Sequence, residues 1–284
     1  MSDRVQQWAS LLSTASRRYV AADMYAGEYW FTGKELAARA ASARQLRVSV
    51  VSAGLGLIGI HDKVPMYGAT FAARHPDSVL ATMSAVAHSR GRRQWWDELT
   101  RAEILGRSGP QRVVEIEECG SDTSVMVCLG RNYLEAVAAD LKALIERLGD
   151  PQRVMVFASG VPLPGLEESW VPISGGLRLI LGGTSSSTTL RSAKAVLEEL
   201  GALPPSVDEA RVIMARLTAE AGDLPSFDRR RQDDDMILHW ILDHLTENPN
   251  SAKTSALRHF RDGGNACEQA RFGQLFDKAR KIAM

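Results

Sequence analysis

Polar loops that follow short apolar runs carry the side chains of this chain that are best suited to chemistry. The first such loop, after residues 48–53, contains Gly54, Gly56, Gly59, Asp62 and Tyr67. Glycines allow a backbone to approach a ligand closely, and a carboxylate held there can act on that ligand. Asp62 is therefore a candidate functional carboxylate, although an aspartate in a glycine-rich turn also commonly serves only to form the turn.

Two later loops repeat this arrangement. An apolar run at 124–129 ends in a turn that contains Gly130, Arg131 and Asn132. A run at 177–181 ends in a loop that contains Gly182, Gly183, Thr184, Ser185 and Ser187. Glycines, hydroxyls and a following helix N-terminus can bind phosphate, but the same hydroxyls could equally cap the helix without a ligand. The loop matches neither the P-loop nor the GxGxxG fingerprint, so we expect neither ATP nor NAD.

An aromatic segment lies before the first apolar run. Tyr25, Tyr29 and Trp30 surround Glu28, between Gly27 and Gly33. The segment could pack under the first strand as part of the core, or it could form an aromatic platform beside a ligand.

Composition and spacing exclude several classes of protein. The 284 residues are 45% hydrophobic and carry a net charge of zero, so no global field attracts nucleic acid or membrane. No apolar run has membrane-spanning length and no leader pattern appears, so we expect a cytoplasmic protein without a membrane partner. Cys119, Cys128 and Cys267 show no CxxC spacing, and His239 and His244 are five apart. We expect buried thiols, no metal and no cofactor.

Two groups of basic residues could contact a nucleic-acid backbone. The first is the stretch 90–93 before Trp95 and Trp96, which includes Arg92 and Arg93. Its alternative is a solvated loop that precedes a core-facing helix. The second, near the C-terminus, comprises Arg229, Arg230, Arg231, Lys253, Arg258, Arg261 and Arg271. Acidic residues such as those at 233–235 nearly balance it, so a structural or protein-binding appendage is the alternative.

The pattern of elements predicts an α/β fold. Apolar runs at 48–53, 124–129, 153–158 and 177–181, and a weaker one at 112–117, indicate strands, with helical patterns between them. Such alternation predicts a three-layer αβα domain with a mainly parallel central sheet. From residue 204 only helical patterns occur, at 207–221, 233–245, 254–261 and 266–282. We therefore expect an α/β domain at 1–203 and a helical domain at 204–284.

These motifs resemble known families. The segments Tyr25-Ala-Gly-Glu-Tyr-Trp30 and SAGLGLI (52–58), with Asp62 and Pro65-x-Tyr67, look like a bacterial family with the pattern YxGxYW, SAxxGL, D and PY. The order of the three loops, over about residues 20–200, is similar to the uracil-DNA glycosylase superfamily. The superfamily includes enzymes that remove glucosylated hydroxymethylcytosine from phage DNA. The chain departs from that superfamily at two motifs. Its first motif differs from that of the superfamily, and residues 182–187 replace the superfamily's late His-Pro-Ser motif.

The resemblance implies a DNA glycosylase of antiviral defence that flips a modified base out of double-stranded DNA and leaves an abasic site. It implies Asp62 and Asn132 as catalytic residues, with Asp62 stabilising the sugar cation and Asn132 reading the edge of the base. Tyr67 or Tyr29 would stack on the base. The substrate-binding residues would be Glu28, Tyr29, Ser52, Gly54, Tyr67, Gly130, Arg131, Gly183, Thr184, Ser185 and Ser187. The DNA-binding residues would be Arg92, Arg93, Arg191, Arg229, Arg230, Lys253 and Arg258.

Two alternatives remain. The same carboxylate could act on a free nucleoside, in an enzyme that transfers bases or deoxyribosyl groups. The chain could also be a non-catalytic nucleic-acid-binding subunit, in which Asp62 only forms a turn. If Asp62 has no catalytic role, Glu28 is the next candidate carboxylate.

Overall fold

The computed structural model describes residues 1–43, 46–102, 104, 111–116, 123–201, 204–225 and 228–283. The chain folds into two compact units, Met1–Leu224 and Pro225–Met284. The predicted mixed α/β class is confirmed, with 55% of the structure in helices. Among the described residues, no helix combines the length and the hydrophobicity that a membrane span requires.

The first unit begins with a helix and two small antiparallel strand pairs. Its first elements are α1 (Ser2–Ser13), β1 (Arg18–Val20), α2 (Ala21–Met24), α3 (Glu28–Ala43), β2 (Ser49–Ser52), β3 (Gly56–Gly59) and β4 (Lys63–Pro65). Strand β1 pairs with β4, and β2 pairs with β3. Helix α1 ends at Ser13, and residues 18–20 form the strand that pairs with β4.

The segment 48–53, predicted as a parallel strand, instead forms an antiparallel hairpin. Ser52 pairs with Gly56 across the turn. Its hydroxyl accepts the backbone N–H groups of Gly54 and Leu55 at 3.1 and 3.0 Å. A serine that bonds its own downstream backbone in this way reverses the chain. This strand therefore does not lead to the edge of a parallel sheet.

Helix α4 (His88–Arg101) contains the basic stretch 90–93, which is helical rather than a loop. Trp95 and Trp96 on the same helix are buried. Their ring N–H groups donate to the carbonyl of Ala53 at 2.7 Å and to the carboxylate of Asp140 at 3.0 Å. The helix faces the core, but the basic stretch belongs to the helix itself and does not form a solvated loop before it.

The rest of the first unit is built on a small parallel sheet. Its elements are β5 (Val125–Val127), α5 (Arg131–Leu148), β6 (Val154–Ala158), β7 (Trp170–Pro172), α6 (Arg178–Leu181), α7 (Thr188–Leu200) and α8 (Val207–Ala221). The strand order is β5-β6-β7, and both pairs are parallel. The predicted parallel sheet is thus limited to three short strands in the described part of the chain.

Strand β6 is buried on both faces, as its continuous apolar sequence predicts. Val154 and Val156 pack into one core cluster with residues of α5. Met155 and Phe157 point the other way and pack with residues of α7 and α8. Side chains alternate across a strand, so β6 joins the two clusters.

Two predicted strands are wrong. Residues 113–115 form a 3₁₀ turn, Val113–Glu115, and residue 117 lies outside the described residues. Residues 177–181 complete a second 3₁₀ turn, Gly175–Leu177, and then form α6. A short apolar run does not distinguish strand from helix by periodicity. The third position in the sheet is taken by β7, which lies between the predicted runs at 153–158 and 177–181.

The division between the units lies after Leu224, whereas the sequence predicted it after residue 203. Helix α8 has the predicted bounds, Val207–Ala221. However, its buried residues Val207, Ala210, Ile213 and Met214 belong to the same core cluster as Phe157 of β6. Helix α8 therefore completes the first unit, because it covers one face of the sheet.

The second unit is mainly helical, as predicted. It comprises β8 (Arg230–Arg231), α9 (Asp234–Glu247), α10 (Lys253–Asp262), β9 (Asn265–Ala266) and α11 (Gln269–Ala283). Its core includes Ile241, Leu257, Phe260, Phe272 and Phe276. The two-residue strands β8 and β9 pair in parallel.

Candidate functional site

The N-terminal turn of α3 connects the two later loops that the sequence singled out. The Tyr29 hydroxyl donates a hydrogen bond to the carbonyl of Cys128, between β5 and α5. The adjacent Glu28 forms an ion pair with Arg191 of α7, with Nη2 and Oε1 2.8 Å apart. The fold therefore brings Glu28, Tyr29, the turn before α5 and the loop before α7 to one place.

The loop at 182–187 packs closely against this ion pair. Gly183 has a positive φ of 84°, and a Cβ there would lie 2.5 Å from Glu28 Oε1 and from Arg191 Nε. Only glycine allows this approach, so its occurrence in the loop has a packing reason. Arg191 also donates to the carbonyl of Leu181 at 3.0 Å, which fixes the start of the loop.

The hydroxyls of this loop mostly bond within the loop itself. The buried Ser187 accepts the Thr184 N–H and donates to the Thr184 carbonyl, each at 3.0 Å. The Thr184 hydroxyl lies 3.0 Å from that of Ser186, and Ser185 accepts from Arg178 at 3.0 Å. The structure thus shows a loop that organises the start of α7. Thr184 and Ser185 remain exposed, whereas Ser187 does not.

Four of the five tyrosines of the chain gather beside this place. The Tyr67 hydroxyl lies 2.5 Å from Ser52 Oγ and bonds the hydroxyl of Tyr25. The Tyr133 hydroxyl lies 3.4 Å from Thr70 Oγ1. Tyr133 also contributes to the electrostatic environment of Tyr25, Tyr29 and Tyr67, so the four rings form one group, which we call the tyrosine cluster.

Three phenols of the tyrosine cluster, those of Tyr25, Tyr29 and Tyr67, are neutral at physiological pH. Burial is the largest influence on Tyr25, Tyr29 and Tyr67, and it raises the pKa of each phenol above its ordinary value. Desolvation likewise raises the pKa of the neighbouring Cys128 thiol to about 12. These groups are therefore hydrogen-bond donors and not anions.

The hairpin of β2 and β3 holds Tyr67 in place. The Trp8 ring donates its N–H to the Gly54 carbonyl at 2.7 Å. A Cβ at Gly54 would lie 2.7 Å from the ring of Tyr67 and 3.0 Å from the ring of Trp8. Gly54 thus has a steric role, because its backbone lies directly between two aromatic rings.

The turn before α5 contributes a helix N-terminus and an amide. Gly130 is the N-cap residue, and no side chain caps this end of the helix. Asn132 is half-buried and its amide makes no hydrogen bond with the described residues. Arg131 is exposed and donates to the carbonyl of Val161 at 2.5 Å, which connects the ends of β5 and β6.

The Asp62 carboxylate accepts a hydrogen bond within its own turn. It is exposed, and its Oδ2 accepts the N–H of Gly59 at 2.9 Å in the turn between β3 and β4. Asp62 directly precedes β4, whereas Tyr67 follows it. Asp62 therefore has the geometry of the turn-forming alternative.

The arginines predicted to bind DNA in the first unit differ in exposure. Arg92 is only 8% exposed, donates to Glu135 at 2.8 Å and to the Phe71 carbonyl at 3.3 Å, and is part of the core. This correction reflects its position on the buried side of α4. Arg93 lies on the outer side and is exposed.

The predicted basic residues of the second unit are largely engaged internally. Arg229 donates to the Arg261 carbonyl at 3.1 Å, and Lys253 pairs with Asp277 at 2.6 Å. Arg230 and Arg258 are exposed. From residue 225 onward ten lysines and arginines face nine aspartates and glutamates, so no strong positive field arises.

Several residues of the site were not among the predicted ones. Tyr25 was grouped with Tyr29 only as an aromatic segment, and Tyr133 directly follows Asn132. Arg178 shows no sequence signal, because only the fold brings it to Ser185. Among the described residues, no group of three or more His, Cys, Asp or Glu side chains could hold a metal ion. Cys128 and Cys267 are free thiols, and Cys119 lies outside the described residues.

Comparisons with known proteins give no independent assignment. No family model, no curated protein and no solved structure matches the chain. The case for function therefore depends on the residues of the site.

Proposed function

We propose that this protein is a DNA glycosylase that hydrolyses the N-glycosidic bond of a modified base, with Glu28 as its catalytic carboxylate. A three-layer glycosylase-like domain is part of this proposal. One observation supports it most: Glu28 and Tyr29, at the start of α3, contact both the loop before α7 and the turn before α5. Carboxylate, phenol and amide groups thereby converge at the carboxyl end of β5.

The position of Glu28 suits the stabilisation of a sugar cation. Its Oε1 is anchored by Arg191, whereas its Oε2 makes no hydrogen bond with the described part of the chain. A half-buried carboxylate with one free oxygen can stabilise positive charge at C1′ and accept a proton from water. In this step the C1′–N bond breaks and its electron pair leaves with the base. Water adds to C1′ and gives its proton to Glu28.

Neutral donors nearby can hold the departing base. The Asn132 amide can bond a base edge, and the rings of the tyrosine cluster can stack on a base that has left the duplex. Preorganised donors stabilise negative charge that develops on a leaving group. Asp62 has no part in this scheme, because its carboxylate serves the turn at Gly59.

A nucleoside-hydrolysing enzyme is the second candidate. It is favoured by the buried position of Arg92, which removes one of the predicted DNA contacts. The chemistry at Glu28 would be the same with a free nucleoside.

One experiment distinguishes the two candidates. Purified protein is incubated with unmodified phage DNA, with phage DNA that contains glucosylated hydroxymethylcytosine, and with the free 2′-deoxynucleosides. Abasic sites are detected by alkaline cleavage and released bases by chromatography. Abasic sites in the modified DNA alone support the glycosylase. Base release from nucleosides but not from DNA supports the second candidate, and no release from any substrate contradicts both.

A further inference from the structure

The Tyr29 hydroxyl joins the start of α3 to the end of β5. It donates a hydrogen bond to the Cys128 carbonyl, and the direction of this bond is fixed because a carbonyl oxygen can only accept. Burial raises the pKa of Tyr29, so the phenol keeps its hydrogen at neutral pH. Within the described ranges, no other hydrogen bond joins α3 to residues 123–148. This contact thus links the helix that begins with Glu28 to the turn before α5.

The turn that Tyr29 holds carries the free amide of the site. Asn132 lies four residues after Cys128, in the first turn of α5, and its amide makes no hydrogen bond with the described residues. Glu28 directly precedes Tyr29 at the start of α3. The position of the carboxylate relative to the amide therefore depends on how α3 is attached to the end of β5.

Two other contacts at the site do not set this spacing. Glu28 pairs with Arg191, which joins α3 to α7 and not to α5. Arg131 donates to the Val161 carbonyl at 2.5 Å, which joins the turn to the end of β6. Arg131 is exposed, and exposed contacts of charged side chains contribute little to stability. The Tyr29 bond is better shielded from water, where a hydrogen bond is stronger.

We propose that Tyr29 is a positioning residue, whose hydroxyl fixes the Asn132 amide at the distance from the Glu28 carboxylate that the reaction needs. This role rests on the proposed function, because it takes Glu28 and Asn132 as the groups that act on the substrate. The Tyr29 hydroxyl needs no contact with the substrate, since it acts through the turn before α5. Misplacing a reacting group by about 1 Å can lower a rate about 10²-fold.

The Cys128 thiol reports on this bond without any substrate. The thiol lies close enough to influence the Tyr29 phenol, and burial raises the pKa of the thiol to about 12. At about pH 8 the closed turn therefore offers almost no thiolate, the form that attacks iodoacetamide, so alkylation measures opening of the turn. Tyr29→Phe removes only the hydroxyl. We expect its Cys128 to be alkylated about fivefold faster than in the wild type, the effect of one hydrogen bond.

Mass spectrometry of the alkylated full chain measures each cysteine separately. Cys267, in the second unit, is the internal reference, and we expect it to be alkylated at the same rate in both proteins. Tyr19→Phe is the matched control, because it makes the same change at an exposed tyrosine outside the tyrosine cluster. Equal alkylation of Cys128 in Tyr29→Phe and in the wild type would overturn the assignment of Tyr29.

Base release tests the consequence for the reaction. We expect Tyr29→Phe to release the base about tenfold more slowly with unchanged DNA affinity, and Tyr19→Phe to match the wild type. If Tyr29 acts through Asn132, the two changes are not additive, so Tyr29→Phe should cost less than about twofold in an Asn132→Ala background. The same loss in both backgrounds, or no loss in either, would contradict the positioning role.

Different results refute the positioning role and the proposed function. Unchanged alkylation of Cys128 with normal base release would refute the role of Tyr29 but leave the glycosylase activity. No base release from any substrate would refute the activity, whereas faster alkylation in Tyr29→Phe would still support the attachment of the turn by Tyr29. If Tyr29→Phe does not fold in a thermal melt, nuclear magnetic resonance of the wild type decides. A slowly exchanging Tyr29 hydroxyl hydrogen is the expected result, and a rapidly exchanging one would overturn the assignment.

Discussion

Replacing Asp140 by asparagine should destabilise the first unit by about 3 kcal/mol. The Asp140 side chain is 1% exposed. Its Oδ1 accepts from the Arg112 guanidinium, and its Oδ2 accepts from the Trp96 ring at 3.0 Å and from the Val113 N–H at 3.1 Å. Asparagine removes the charge and turns one acceptor into a donor that faces other donors.

The magnitude follows from the partners that remain. Breaking a buried ion pair costs about 3–5 kcal/mol. The lower end applies because the Arg112 side chain is 22% exposed and keeps a bond to Asp97 at 2.9 Å. For a unit of this size, about 3 kcal/mol lowers the melting temperature by about 6–12 °C.

Thermal unfolding followed by circular dichroism measures this effect. Asp97→Asn is the matched control, because Asp97 is 35% exposed and pairs with the same arginine. We expect the control to lose about 0–1 kcal/mol. A melting temperature of Asp140→Asn within about 2 °C of the wild type would refute the reasoning that a buried, fully bonded carboxylate holds these elements together.

Further consequences concern the turn, the phenols and the buried arginine. Asp62→Asn should change stability by no more than about 0.5 kcal/mol in a thermal melt, because asparagine can also accept the Gly59 N–H. The stability of the first unit should fall as the pH rises above about 10, and the urea midpoint measures this. In the unfolded chain these tyrosines release their protons at about pH 10, but in the folded state their pKa is raised. The stabilisation is therefore complete below the pKa of the unfolded state, and it is lost as the pH rises towards the pKa of the folded state. The tyrosines concerned are Tyr25, Tyr29 and Tyr67. Arg92→Leu should lower the melting temperature by leaving the partly buried Glu135 without its 2.8 Å partner, and should not change the slope of DNA affinity against salt in filter binding.

Sequence reasoning succeeded where local patterns suffice. The continuous apolar run at 153–158 predicts β6, and the helical pattern at 207–221 predicts α8 at its observed bounds. The mixed α/β class follows from such elements. These features depend on residues that are close in the sequence, so the periodicity of apolar residues is enough to predict them.

Reasoning from the sequence failed where distant residues decide the outcome. The sequence predicts that Arg92 is exposed, whereas in the fold it is buried and pairs with Glu135, 43 positions later. The run at 48–53 predicts a buried parallel strand, but in the fold the Ser52 hydroxyl stabilises a turn in which the chain reverses. The sequence also contains no sign that the fold brings Glu28 and Tyr29 to the two later loops. No local pattern contains the pairing of Glu28 with Arg191, 163 positions away.

The measurement that tests the central claim most directly is base release from hypermodified phage DNA by wild-type protein, Glu28→Gln and Asp62→Asn. Glutamine keeps the size of Glu28 and removes its charge. We predict a loss of base release of about 10²- to 10⁴-fold for Glu28→Gln, with near-normal DNA binding and melting temperature, and no comparable loss for Asp62→Asn. Base release by a folded Glu28→Gln protein at the wild-type rate, or loss of release in Asp62→Asn alone, would contradict the assignment of Glu28 as the catalytic carboxylate.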